Sequence, residues 1–139
     1  MSSQLNVDTI VDKAGSGGTN VKIGNTSTYV SENSTTTQNT VQGIAKAWAV
    51  VDGTGTIGLS DSFNCASVSD EGTGDYDVFY TNNMSSVHVS TPMNPSGDSF
   101  IARSNEGRST NKVHVQTINL SDTAVDDGAV TMTAHGDLA

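Results

Sequence analysis

The sequence predicts an all-β protein: an antiparallel, jelly-roll-like β-sandwich head over residues 44–139, preceded by an extended N-terminal arm or stalk over residues 1–43. Three observations carry this. From residue 44 onward, short alternating runs bounded by Gly, Asn and Asp recur at roughly 8–12-residue spacing, the interval of a sandwich or barrel. Ser, Thr, Asn and Gly fill much of the chain; all but Thr are weak helix formers, and Thr is β-branched and suits strands. The density of apolar residues then rises sharply at Val41, which places a boundary near Gly43.

The arm has strand spacing but little to build a core from. Leu5, Val7 and Thr9 share one face, and Ile10 and Val11 close the run. A segment that cannot bury its own apolar face either borrows a partner or stays unfolded. Leu5, Val7, Ile10 and Val11 are therefore the expected assembly contacts, with sister chains or with a larger particle. Residues 12–20 read as a loop, Asn20–Ile23 and Thr28–Val30 as short strands separated by a Gly24-Asn25 turn, and Glu32–Asn39 as linker.

Ile44–Val51 fits helix or strand spacing, but its length and the flanking Gly43 and Asp52-Gly53 favour a strand. Ala45, Ala47 and Ala49 then line one face, where another sheet or subunit can approach closely, with Trp48 opposite them. Thr56–Ser60 pairs back across Asp52–Gly55. Phe63–Ser69 and Asp75–Thr81 form a hairpin turning at Asp70–Gly74, with Tyr76, Val78 and Tyr80 on its buried face. Further strands are expected over Ser85–Ser90, Ser99–Arg103, Lys112–Leu120 and Ala129–His135. The apolar phase slips within Lys112–Leu120, which predicts a bulge near Gln116-Thr117. Pro92 and Pro95 mark a loop or an edge, and no helix is needed.

Composition narrows the function. Hydrophobic content of 34% with 5% aromatic implies a thin core, and a net charge of −9 with six Lys and Arg argues against nucleic-acid binding by phosphate neutralisation. Cys65, the single cysteine, provides no disulfide framework and falls in an alternating run where a small buried hydrophobe fits. Met1-Ser2-Ser3-Gln4 has neither a basic nor an apolar stretch, and no run reaches membrane-spanning length, so neither leader nor membrane partner is expected.

Several motifs have a plain reading beside a functional one. Gly53-Thr54-Gly55-Thr56-Ile57-Gly58 matches a dinucleotide-binding pattern, but its flanks are strands rather than a helix, so the glycines serve a turn. His88 and His114 sit in matching Val-His-Val tripeptides and are weak metal candidates; their flanking valines mark the inward face and send both imidazoles to solvent. His135 adds little. Asp122, Asp126 and Asp127 lack calcium-loop spacing, and Asp126-Asp127-Gly128 reads as a hairpin turn. The Asn-x-Ser/Thr matches at Asn25, Asn33, Asn83 and Asn119 arise by chance in so Ser- and Thr-rich a chain. Trp48 and Tyr29, Tyr76 and Tyr80 have faces that suit sugar rings, though a core or a subunit interface also needs them. No nucleophile, base and orienting group stand at a recognisable spacing, so no enzymatic activity and no cofactor are expected.

Two stretches resemble a known family. Leu5-Asn6-Val7-Asp8-Thr9-Ile10-Val11 followed by Ala14-Gly15 resembles the openings of fibre-like virion proteins of marine tailed bacteriophages, cyanophages in particular. Ala45-Lys46-Ala47-Trp48, Gly53-Thr54-Gly55-Thr56-Ile57, Asp61-Ser62-Phe63-Asn64 and Gly72-Thr73-Gly74-Asp75-Tyr76 are similar, in order and spacing, to a β-rich module of the same proteins. The resemblance implies a virion structural component, all-β and homotrimeric, made in the host cytoplasm and released by lysis. It carries over no catalytic residues. The leading expectation is a short trimeric fibre or knob on the tail. Alternatives are a capsid decoration or cement protein, whose partners are capsid proteins, and a lectin-like binder of host surface glycan through loops such as Asn82–Pro95 or Ser104–Thr110.

Overall fold

The structure is a computed structural model that describes residues 28–30, 35–103 and 109–139. The arm contacts Leu5, Val7, Ile10 and Val11 lie outside the described residues, as do the loop over 12–20, the expected strand at 20–23 and the Gly24-Asn25 turn. The chain divides into two units, Met1–Val41 and Gln42–Ala139. In the first, β1 (Thr28–Val30) pairs antiparallel with β2 (Thr37–Asn39) in a two-stranded sheet. Tyr29 Oη donates to Gln38 Oε1 across this pair at 2.6 Å. The segment read as linker therefore contains a strand. A single helical turn, α1 (Thr40–Gly43), lies at the division.

The second unit is all-β. Its strands are β3 (Ala47–Asp52), β4 (Gly58–Phe63), β5 (Cys65–Gly72), β6 (Asp75–Tyr80), β7 (Met93–Pro95), β8 (Phe100–Arg103), β9 (Lys112–Ile118) and β10 (Val130–Ala134). They form two four-stranded sheets with every neighbouring pair antiparallel, in the orders β4-β3-β10-β7 (sheet B) and β5-β6-β9-β8 (sheet C). Both sheets contribute to one core, so the arrangement is sandwich-like. β3 and β10 supply Ala47, Ala49, Val51, Val130, Met132 and Ala134, while β6 and β9 supply Tyr76, Val78, Tyr80, Val113 and Val115. The alternation seen in the sequence is the cause, because successive strand residues face opposite sides and the apolar set turns inward. The small alanines of β3 share this interior with the two large tyrosines of β6, a pairing of small with large that lets the layers interdigitate.

The strand order differs from a jelly roll. A jelly roll carries successive strands alternately to its two sheets, whereas here β3–β4, β5–β6 and β8–β9 each stay within one sheet. Thr73-Gly74 closes β5 onto β6 as a tight hairpin within sheet C. The Asp126-Asp127-Gly128 segment is not a hairpin turn, since it lies on the crossing from β9 in sheet C to β10 in sheet B. Ser85–Ser90 forms no strand; it makes one lone bridge, from Ser90 to His135, and Met84 just before it makes another to Leu138. Pro95 does mark an edge, as the last residue of β7.

Asn64 makes the sharpest crossing possible. It is the single residue between β4 and β5, with φ at 55°, a conformation Asn tolerates better than most residues. Its Nδ2 donates to the carbonyls of Lys46 (3.0 Å) and Asn82 (3.1 Å), and its Oδ1 accepts from Asn82 N (2.7 Å) and Asn82 Nδ2 (3.0 Å). Asn64→Gly keeps the backbone but removes these bonds, and is expected to lower unfolding stability by about 1–2 kcal/mol. Asn64→Ala adds the left-handed penalty of about 1 kcal/mol. Urea unfolding with Gly less stable than wild type, and Ala less stable again, is the expected order; equal stability of all three refutes the pinning role.

Candidate functional site

Three places bring functional side chains together. The first is one end of the sandwich-like unit, where the β9–β10 crossing meets the loop after β7. Asp127 is buried there, 4% exposed. Its Oδ1 accepts from Ser96 N (3.1 Å), Ser96 Oγ (2.7 Å) and Ala129 N (3.0 Å), and its Oδ2 accepts from Gly97 N (3.0 Å) and from the Ser99 hydroxyl. Burial alone would raise the Asp127 pKa, but the donors from Ser99, Ala129, Ser96 and Gly97 together outweigh it and hold the carboxyl far below the usual carboxylate range. Beside it, Asp126 Oδ1 accepts from Gly74 N (2.7 Å) and from the Tyr76 hydroxyl (3.0 Å). Ser96, Gly97, Ser99, Asp126 and Asp127 border an open cleft of about 300 Å³ that also takes in Asp98, Asn119 and Val125. Asp127 is saturated by its own chain, so this end is a fastening rather than a ligand cradle.

The GxGxxG run lies at the same end, between β3 and β4, with no helix after it. Asp52 Oδ1 accepts from Thr54 N (2.9 Å) and Thr54 Oγ1 (2.7 Å), closing a local turn in which Gly55 has φ of 64°. Gly53 N donates to the Asp127 carbonyl at 2.9 Å. A Cβ on Gly53 would stand 2.2 Å from the Tyr76 hydroxyl, so this glycine makes room for the buried tyrosine.

The second place is the outward face of sheet C. His114 on β9 lies between two aspartates of β6, with Nδ1 3.2 Å from Asp77 Oδ1 and Nε2 3.1 Å from Asp75 Oδ1. The second contact is a close approach rather than a hydrogen bond, since Asp75 Oδ1 is buried without a hydrogen-bond partner. Lys112 Nζ donates to Asp77 Oδ2 and sits 5.7 Å from the Phe79 ring centroid. The Asp77 hydrogen bond raises the Lys112 pKa, which keeps this amine a cation and a poor nucleophile. Ser69, opposite Asp77 on β5, donates its hydroxyl to Glu71 Oε1 at 2.6 Å and so is not activated by His114. The sequence reading sent His114 to solvent; its side chain is 14% exposed because the row of carboxylates on β6 covers it. His88 is exposed, lies outside any strand and is not brought to His114. Among the described residues, no group of three or more His, Cys, Asp or Glu is placed to hold a metal ion.

The third place is the outward face of sheet B. Of the residues expected at a packing face, Ala47 and Ala49 are buried in the core, and Ala45, before β3, is half-buried. Trp48 points the other way, 36% exposed, directly opposite Phe63, 55% exposed, on β4 and Thr133 on β10. Tyr76 and Tyr80 are core residues and offer no exposed ring. Cys65, expected as a buried small hydrophobe, is half-buried, with Sγ 3.5 Å from the Trp48 carbonyl, and burial pushes its thiol up to about 11. Asn64 and Asp127 were missed as key residues. Asn64 stood in the sequence only as the end of the Asp61-Ser62-Phe63-Asn64 motif, and Asp127 was hidden by a turn-like Asp-Asp-Gly. No helix among the described residues is long and apolar enough to cross a membrane.

No protein-family model matches the chain, and neither does any curated protein or solved structure.

Proposed function

We propose that this chain is a structural component of a tailed-phage virion, a short homotrimeric fibre or knob on the tail, and not an enzyme. One observation supports it most. The segments that resemble the fibre-like module fold into the consecutive strands β3–β6, and their distinctive residues do scaffold work. Gly53 admits Tyr76, Asn64 pins the crossing between sheets, and Gly74 makes the hairpin turn. Residues 44–139 serve as the head and residues 1–43 as the assembly arm. The sequence builds a turn-rich β unit with an exposed aromatic pair, and on sheet C the Ser69 hydroxyl donates to Glu71 rather than to His114.

Two measurements test this reading. Light scattering on the full chain is expected to give three times the 14.4 kDa chain mass. Antibodies to the chain are expected to label the tails of intact particles. Labelling spread over the capsid lattice would replace the tail assignment with the decoration reading, in which the chain contacts capsid proteins. Particles that carry no label would remove the virion reading altogether.

A further inference from the structure

The two outward sheet faces differ in charge. Sheet C turns out Asp75, Asp77, Lys112 and His114, with Glu71 on its edge strand. On sheet B, Trp48 and Val50 of β3 stand in rows with Phe63, Thr131 and Thr133, and Asp61 on edge strand β4 is the one charged residue in those rows. Asp52 ends β3 with its carboxylate turned to Thr54. A chain with net charge −9 repels its own copies, so self-association is easiest where charge is sparse.

The sheet edges are poor alternatives. Edge strand β4 carries a register shift opposite Val50/Val51, and edge strand β5 has two such shifts, one of them beside the charges of Asp70 and Glu71. Edge strand β7 is three residues long and ends in Pro95, and edge strand β8 is shifted between Ile101 and Arg103. Bulges, proline, charge and short length are the devices that stop strands joining edge to edge. Within the two four-stranded sheets, contact through a face is what remains.

We infer that the outward face of sheet B is the surface on which copies of this chain meet, with Trp48 and Phe63 at its centre. Around a threefold axis the two sides of one face meet different neighbours, so a single charge-poor aromatic face turned to the axis can close a trimer. Tryptophan is also enriched among the residues that carry interface energy. This inference deepens the assembly reading and rests on it.

Trp48 is the only tryptophan in the chain, so its fluorescence reports on the face directly. The full chain is expected to assemble, with blue-shifted emission protected from acrylamide. Phe63→Ser and Thr131→Glu both change exposed side chains and leave Trp48 in place. Each is expected to weaken assembly at least tenfold by light scattering and to shift the emission to the red, while circular dichroism stays that of wild type. Phe100→Ser, at a residue 50% exposed on sheet C, is the control and is expected to change neither. Unchanged assembly in both sheet B variants overturns the assignment of the face but leaves the trimer standing. A wild-type monomer at every concentration overturns both, and a monomer with protected Trp48 gives the face to the chain's own N-terminal segment. Emission that answers to added dextran but not to dilution makes the face a glycan site and overturns the proposal.

Discussion

Gly74→Ala is expected to cost more than about 3 kcal/mol, enough to unfold a marginally stable domain at room temperature. Two effects add. Gly74 has φ of 65° in the β5–β6 turn, where any L side chain is penalised. A Cβ there would also stand 2.6 Å from the carbonyl oxygens of both Thr117 and Val125 and 2.8 Å from Val125 N. Those neighbours are backbone and cannot swing aside. They are also tied together: Thr117 N donates to the Gly74 carbonyl (2.7 Å), Val125 N donates to the Thr117 carbonyl (3.2 Å), and Thr117 Oγ1 donates to the Val125 carbonyl (2.6 Å). Gly128→Ala is the control, because its Cβ meets nothing within 4 Å and its φ is not left-handed. It is expected to stay within about 0.5 kcal/mol of wild type. Urea unfolding that finds the two alanine variants equally stable would show that the turn is not held as described.

Asp127→Asn is the second large effect. The carboxylate accepts from three backbone N–H groups and two hydroxyls. An amide in its place sets two donors against other donors, for an expected loss of about 3 kcal/mol at neutral pH. The pH dependence has a definite sign. The folded-state pKa lies below the unfolded value of about 3.9, so the contribution is complete above about pH 5 and is lost as pH falls toward the folded pKa. Wild type is therefore expected to lose stability steadily on acidification below about pH 5. In Asp127→Asn the slope over that window should be shallower. Parallel slopes would mean that other carboxyls govern the acid limb.

Much of the fold is legible in the sequence. The Tyr76, Val78, Tyr80 alternation gives the buried face of β6, and the glycine-rich turn gives the hairpin onto β5. What misleads is polarity in buried positions and apolarity in exposed ones. Thr117 is fully buried in phase with Val113 and Val115 because its hydroxyl is satisfied by a carbonyl, while Leu120 is 85% exposed beyond the end of β9. Reading the leucine as core and the threonine as surface produces the expected slip in β9. The register shift at that level belongs to β8, between Ile101 and Arg103 opposite Thr117 and Gln116. Ser85–Ser90 alternates convincingly but makes only a lone bridge, since a period of two does not supply a partner strand. The candidate site divides in the same way. Local pattern places Ala47, Ala49 and Trp48 on opposite faces, whereas the clasp on His114 needs β6 and β9 side by side, a pairing across more than thirty residues.

The pairing of β3 with β10 has a kinetic consequence. Val51 and Val130 are matched across roughly eighty residues of sequence, so the centre of sheet B is its last part to close. Sheet C starts from a local β5–β6 hairpin and needs only β9 and β8 to complete it. Loop closure over such separations is slow and brings no reward until the strands meet. A ribosome-bound chain that has delivered β3 and β4 holds an alanine-lined strand open on one side until β10 emerges. In that interval the nascent protein depends on its scarcity of large apolar residues to stay unaggregated, and the thin core serves folding as well as the finished form.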